Sequence, residues 1–235
     1  MEKQHLFKRK HYQPDIILLT VRWYLWYSLR FRDLVEMMEE RRLSIAHTTI
    51  MRWVHQYGLE LDERVRRYLK PTNDSWRVDE TYVKVKGQWM YLYRAVDSDG
   101  NTIDFYFSKT RDHKAAKRFF KKALRSFHVS KPRVITVDKK PAYPMAIEEL
   151  KKEKKMLVGI QIRQVKYLSN IVEQDHRFIK KRVRSMLGLK SFRTAKSILS
   201  GIEVMHIIKK GPLTLRDKSV QNQVKFIHQL FGMAA

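Results

Sequence analysis

Residues 76–109 read WRVDETYVKVKGQWMYLYRAVDSDGNTIDFYFSK. Three runs rich in Val, Tyr, Phe and Trp, at Trp76–Lys86, Gln88–Asp97 and Asn101–Lys109, are punctuated by Gly87 and by the turn DSDGN at Asp97–Asn101. Such residues suit a pleated, half-buried surface, and loops this short join antiparallel neighbours. The stretch is a three-stranded meander. Beyond it, Asp112–Phe127 carries apolar residues at 115/116, 119/120, 123/124 and 127, a helical period that leaves Lys114, Lys117, Lys121 and Arg125 outside. Pro132 precedes a short buried strand, Arg133–Val137, that ends on Asp138. A helix around Tyr143–Lys155, a strand around Ile160–Val165 and a helix from near Asn170 follow. Three strands, helix, strand, helix, strand, helix is the order of the ribonuclease-H-like α/β fold, a mixed sheet flanked by helices. Its first and fourth strands can lie side by side.

Upstream, the pattern is all helical. Pro14 suits a first turn, and Ile16, Leu19, Val21, Trp23, Leu25 and Trp26 follow it densely. A second helix is expected from about Arg32, with Leu34, Val35, Met37 and Met38 inside. A third is expected over His47–Tyr57, with Gly58 as the residue that ends it. Three short helices with a tight turn before the last suggest a helix-turn-helix module over residues 1–60, with Thr48, Thr49, Arg52 and His55 facing a DNA groove. The alternative is a helical mini-bundle that only packs on the main domain. Residues 61–75 are expected to be a linker, 76–185 the ribonuclease-H-like core, and 186–235 a helical extension (Ser191–Ile208 and Val220–Phe231) packed on the core or on a second protomer.

Composition narrows the partner. Lys and Arg number 49 against 24 Asp and Glu, so the net charge is +25 and the pI about 10.2. The basic residues are spread through folded-looking segments, which points to a polyanion, and nucleic acid is the first choice. The absence of cysteine excludes disulfides and thiolate zinc sites. No signal-peptide pattern opens the chain, and the apolar run Ile16–Phe31 is interrupted by Arg22 and Arg30. The expectation is therefore a cytoplasmic protein with no membrane partner.

Three carboxylates stand out against that basic background. Asp79 lies in the first strand, Asp138 ends the fourth, and Glu173 lies one turn into the last helix of the core. Each has an ordinary explanation: a strand-edge acid, a strand-to-loop cap, and a capping-box partner of Asn170. Together they could hold magnesium ions, with manganese able to substitute, against a phosphodiester. Glu80, next in the strand, points to the opposite sheet face. Glu173, His176, Arg177 and Lys180 recur at spacings of three, four and seven, on one helix face. With the run Lys181–Arg184, which includes Arg182, they extend a basic surface suited to lining a DNA path through its phosphates. Lys190, Arg193 and Lys196 continue it.

The segments WRVDETY at 76–82, TVDK at 136–139 and YLSNIVEQDHR at 167–177 resemble bacterial insertion-sequence transposases, specifically the family numbered six, whose catalytic core is similar to that of retroviral integrases. Thirty-four residues separate Asp138 from Glu173, the spacing typical of that family's Asp-Asp-Glu triad, and Lys180 matches the basic residue seven positions on. The runs at 186–192 and 201–211 resemble the family too. Ser169, Lys140 and Pro212 depart from its usual residues. The resemblance implies recognition of terminal inverted repeats in double-stranded DNA, metal-dependent 3′-end cleavage and strand transfer, replicative transposition through cointegrates, a homo-oligomer, and a location with the bacterial nucleoid. Asp79, Asp138 and Glu173 would be both catalytic and metal-binding. Two other readings stay open: a non-catalytic helix-turn-helix regulator or decayed transposase, and a ribonuclease-H-type nuclease.

Overall fold

The computed structural model describes residues 6–165, 170–186, 189–211 and 219–233, with the side chains of 170–175 outside the description. Helices α1 (Pro14–Trp26), α2 (Phe31–Glu39) and α3 (His47–Val65) precede the sheet, and a 3-10 turn at Arg66–Tyr68 leads into it. The sheet is built from β1 (Ser75–Val85), β2 (Gln88–Asp97), β3 (Thr102–Ser108), β4 (Val134–Asp138) and β5 (Gln161–Val165). Its order is β3-β2-β1-β4-β5. The meander pairs antiparallel, and β4 and β5 add in parallel. Helices α4 (His113–Ala123) and α5 (Ala142–Lys152) make the parallel crossovers, and α6 (Asn170–Arg184), α7 (Phe192–Lys210) and α8 (Val220–Leu230) follow. This is the ribonuclease-H-like mixed sheet expected from the element order.

Strand alternation divides the interior into two layers. Trp76, Val78, Tyr93, Ala95, Ile135 and Val137 face α4 and α5, where Phe119, Phe120, Tyr143, Ile147 and Leu150 close over them. Val83, Val85, Met90, Leu92, Phe105 and Phe107 face the other way, into a larger core shared with α1–α3 and α6–α8. The α4 face is held to α5 by charge at its rim. Lys117 Nζ lies 2.5 Å from Glu149 Oε2 and 2.6 Å from Glu153 Oε1, and Lys121 lies 3.1 Å from Glu153. Lys117 and Lys121, expected as outward-facing charges, thus bridge two helices.

Hydrogen bonds from Lys117, then Lys155 and Lys121, pull the Glu153 carboxyl down to about 2. A depressed acid stabilises the fold above its ordinary value of 4.5, and loses that contribution as pH falls through this value toward 2. Glu153→Gln is therefore expected to lower Tm modestly at pH 7 and to converge on the wild-type Tm as pH falls toward 2, which flattens the acid limb of a plot of Tm against pH.

One expectation is corrected. Gly58 does not end α3; the helix runs on to Val65, so the first residues of the expected linker are helical. Gly58 is buried where α3 crosses α7. A Cβ there would meet the Ser197 carbonyl oxygen at 3.1 Å, and one on Gly201 would meet both Leu25 methyls at 2.7 Å and Gly58 Cα at 3.3 Å. The glycines permit a close helix crossing. Gly201→Ala should cost about 1–3 kcal/mol by overpacking, despite the roughly 1 kcal/mol that alanine gains in helix preference, and a denaturant midpoint would read the loss.

A second lock ties α6 to α1. Arg182 lies in the stretch 181–184 expected to line a DNA path, but it is buried. Its guanidinium donates to the carbonyl oxygens of Tyr24 and, at 3.2 Å, of Leu29, and sits 4.8 Å from the Tyr24 ring centroid. Burial lowers its pKa to about 10. Lysines and arginines around it remain outside; this one is a strut between helices.

Candidate active site

Parallel pairing of β1 with β4 runs from Ser75↔Val134 to Val78↔Val137. Asp79 and Asp138 are the next residues of each strand, and both lie on the face opposite Val78 and Val137. Two carboxylates therefore stand side by side where β4 stops. Both are partly exposed, with 25% and 28% of their side chains accessible. Asp138 Oδ1 accepts from the Lys139 backbone N–H at 2.7 Å, and Oδ2 lies 3.3 Å from Lys140 Nζ. Asp79 Oδ2 lies 3.3 Å from His176 Nε2 of α6, within ion-pair distance but without hydrogen-bond alignment. Glu173 stands one turn before His176 in that helix. Its side chain, like residues 166–169, lies outside the description. Among the described residues no three acids or histidines converge on a metal position. The donors that are described fit a hard divalent cation, because they are carboxylate oxygens with one edge open to solvent.

The hairpin fixes what lies beside Asp79. Lys86 and Gly87, with φ of 47° and 80°, form a two-residue turn between Val85 and Gln88. Counting back from it pairs Asp79 with Arg94. Arg94 is fully buried, and its guanidinium forks onto Glu203 of α7: Nε is 2.6 Å from Oε1 and Nη2 donates to Oε2 at 2.9 Å. A bidentate ion pair thus sits beneath the carboxylates. The sequence placed the break between the two strands at Gly87, with Lys86 still in the first strand; the structure gives Lys86 to the turn, and Glu203 comes from a helix more than a hundred residues away.

Behind β1 lies a second polar cluster. Glu80, on the opposite face as expected, is buried and accepts from Arg111 Nε at 2.6 Å, from Lys140 Nζ and from the Tyr143 hydroxyl. Burial pushes its carboxyl up, against the Tyr143 hydrogen bond and the Arg111 charge that pull it down. Burial and then the charge of Glu80 raise Tyr143 well above the ordinary phenol. Lys140 touches both Glu80 and Asp138, so it links the buried cluster to the exposed site. The lysine that departs from the family pattern is thereby a positioning group for Asp138.

The remaining expected site residues separate into exposed and buried ones. Arg177, Lys180, Lys181 and Arg184 are exposed along α6, with Lys190, Arg193 and Lys196 exposed beyond it. His176, expected as a packing residue or a phosphate contact, is buried and turned toward Asp79. On α3, Arg52 is exposed, while Thr48, Thr49 and His55 are half-buried; burial lowers the His55 pKa. These four lie away from the stripe Ile50, Trp53, Val54, Tyr57 and Leu61 that α3 buries in the core.

Residues 73–212 match the family model of a DDE domain. The chain is 37% identical over 204 residues to a transposase for the insertion sequence-like element IS431mec of Staphylococcus aureus, covering 87% of this chain and 88% of that one. The same figures hold for a transposase of insertion sequence element IS257 in transposon Tn4003 from that organism. Among solved structures, the HTLV-2 integrase catalytic core domain in complex with magnesium superposes with a TM-score of 0.44 at 17% identity, over 66% of this chain and 97% of that one. A simian T-cell lymphotropic virus intasome does so with a TM-score of 0.44 at 18% identity, over 68% and 55%.

Proposed function

The chain belongs to the DDE transposases of insertion sequences, in the family numbered six, and from that premise we propose that it binds the terminal inverted repeats of its element and joins their 3′ ends to target DNA, in replicative transposition through cointegrates. The observation that carries the reading is the placement of Asp79 and Asp138 side by side on β1 and β4, with α6 packed over β1. Asp79, Asp138 and Glu173 would hold a pair of divalent ions, magnesium with manganese able to substitute, which when bound activate the attacking oxygen and stabilise the leaving one. In the joining step the 3′ oxygen of the element bonds to a target phosphorus as the target's own 3′ oxygen leaves.

The chain's own residues orient this chemistry. Lys140 and the Lys139 N–H fix the rotamer of Asp138, and Arg94 lies beside Asp79 across the β1–β2 ladder. His176 lies against the buried side of Asp79. Lys180 positions the phosphate of the terminal nucleotide, and Arg177, Lys181 and Arg184 hold neighbouring phosphates. Thr48, Thr49, Arg52 and His55 read the repeat from residues 1–60, residues 61–75 lead into the core at 76–185, and 186–235 support core and protomer contacts. Two element ends handled together call for a homo-oligomer acting at the nucleoid. Among the described residues no helix is long and apolar enough to cross a membrane. With several phosphate contacts, affinity for terminal DNA should fall steeply with salt.

The test uses labelled DNA carrying the element's own ends, in magnesium and in EDTA, with a Glu173→Gln protein alongside. Metal-dependent joining that the substitution removes supports the proposal. Specific binding with no joining in any condition would sink it in favour of a DNA-binding regulator.

A further inference from the structure

The face of β1 that holds Glu80 does not stay covered. Trp76, Val78 and Glu80 lie beneath α4 and α5, and then the strand runs out from under them as Tyr82 and Lys84. Tyr82 is 42% exposed, and Trp89, which pairs with Lys84 across the hairpin, is 58% exposed. The two rings meet edge to face at 6.3 Å, and Tyr91 supports Tyr82 from the neighbouring position at 5.5 Å. Cations flank them: Lys84 Nζ is 5.7 Å from the Trp89 centroid and Arg111 is 5.2 Å from that of Tyr82. On the other face the same hairpin end is closed. Val83, Val85 and Met90 are buried there, and the Lys86 N–H donates to the Leu189 carbonyl at 2.7 Å. A stiff hairpin is thus packed on one side and presents bare aromatic rings and cations on the other.

We propose that this hairpin face binds an unpaired DNA strand, stacking bases on Trp89 and Tyr82 while Lys84 and Arg111 hold the adjoining phosphates. The inference rests on the transposase reading above and extends it to a surface that the triad does not include. Charge selects the occupant. A protein partner would have to supply an acid for Lys84, since Glu80 is buried and engaged with Arg111, Lys140 and Tyr143, whereas a nucleic-acid strand brings phosphates by nature. Duplex DNA keeps its base faces stacked and offers these rings nothing but backbone; an unpaired strand offers both groups at once. Tyr82 lies three residues from Asp79, about 10 Å along β1 and on the opposite sheet face, so a strand freed at the reacting end would reach these rings by turning round the β1 edge past the end of β4 at Asp138. Arg111 also holds Glu80, so the surface and the site share one side chain.

The experiment measures fluorescence anisotropy of a labelled 20-nucleotide oligo(dT) and of a duplex bearing the element's terminal repeat, using full-length protein. Both rings project into solvent, so substitutions there should leave the fold intact, which circular dichroism would verify. Trp89→Ala with Tyr82→Ala is expected to weaken oligo(dT) binding by about 10-fold and duplex binding by less than about 2-fold, and Trp89→Phe should retain most of the single-strand affinity. Unchanged single-strand binding, or an equal loss on both DNAs, overturns the proposal. So does a drop in sedimentation coefficient with single-strand affinity intact, which would make the face an interface between copies. An Asp138→Asn protein run in parallel should bind both DNAs without joining them; joining by that protein would count against the catalytic reading and leave this surface to be judged on its own result.

Discussion

Asp138→Asn is expected to reduce 3′-end joining by about three orders of magnitude while the protein stays folded. Removing one metal-binding carboxylate forfeits several kcal/mol of charge stabilisation in the transition state, and each 1.36 kcal/mol is tenfold in rate. Stability should move little, because Asp138 is partly exposed and its contact with Lys140 at 3.3 Å is solvent-screened, worth about 1 kcal/mol at most. The amide keeps the shape of the carboxylate and can still accept from the Lys139 N–H. Asp79→Asn and Glu173→Gln should behave alike. Joining assays on labelled ends, read beside a thermal melt, separate lost chemistry from lost fold. A variant that joins at the wild-type rate would remove that acid from the reaction.

The largest effect on stability is expected at Glu203→Ala. Arg94 and Glu203 are both inaccessible to water, and their fork is the principal compensation for burying two charges. Truncating Glu203 leaves a buried guanidinium with its main partner gone, at a cost of about 3–5 kcal/mol. For a chain of this size that is a fall of roughly 10 °C in Tm. Replacing both residues, Arg94→Met with Glu203→Leu, should recover most of the loss, since an apolar pair of similar volume needs no desolvation. Joining should not recover with it. Arg94 is the cross-strand partner of Asp79, and the double variant removes the positive charge beside that carboxylate. Parallel recovery of both properties would reduce the pair to a structural strut.

The meander was legible from residues 76–109 because alternation, Gly87 and the DSDGN turn are local signals, and a two-residue turn fixes its own register. The parallel neighbours β4 and β5 were legible from element order, and with them the adjacency of Asp79 and Asp138. Gly58 misled because a glycine after an apolar helix is usually a terminator; here its missing side chain serves a crossing with Gly201, which lies far off in the chain. Arg182 misled for the same reason: within α6 it looks like its exposed neighbours, and only the packing of α1 against that helix buries it. The Glu80 cluster draws on β1, the loop before α4, the loop after β4 and the first turn of α5, and no spacing in the sequence announces it.

The sequence by itself determined the element order and the candidate carboxylates, since these follow from short-range sterics and periodicity, while the strand register came from the turn that the structure closes at Lys86 and Gly87. Tertiary structure alone decided which charges are buried and paired, because burial depends on side chains brought together from distant segments. Desolvation then separates the buried arginines that must be paired, Arg94 and Arg182, from the exposed lysines and arginines that stay surface cations.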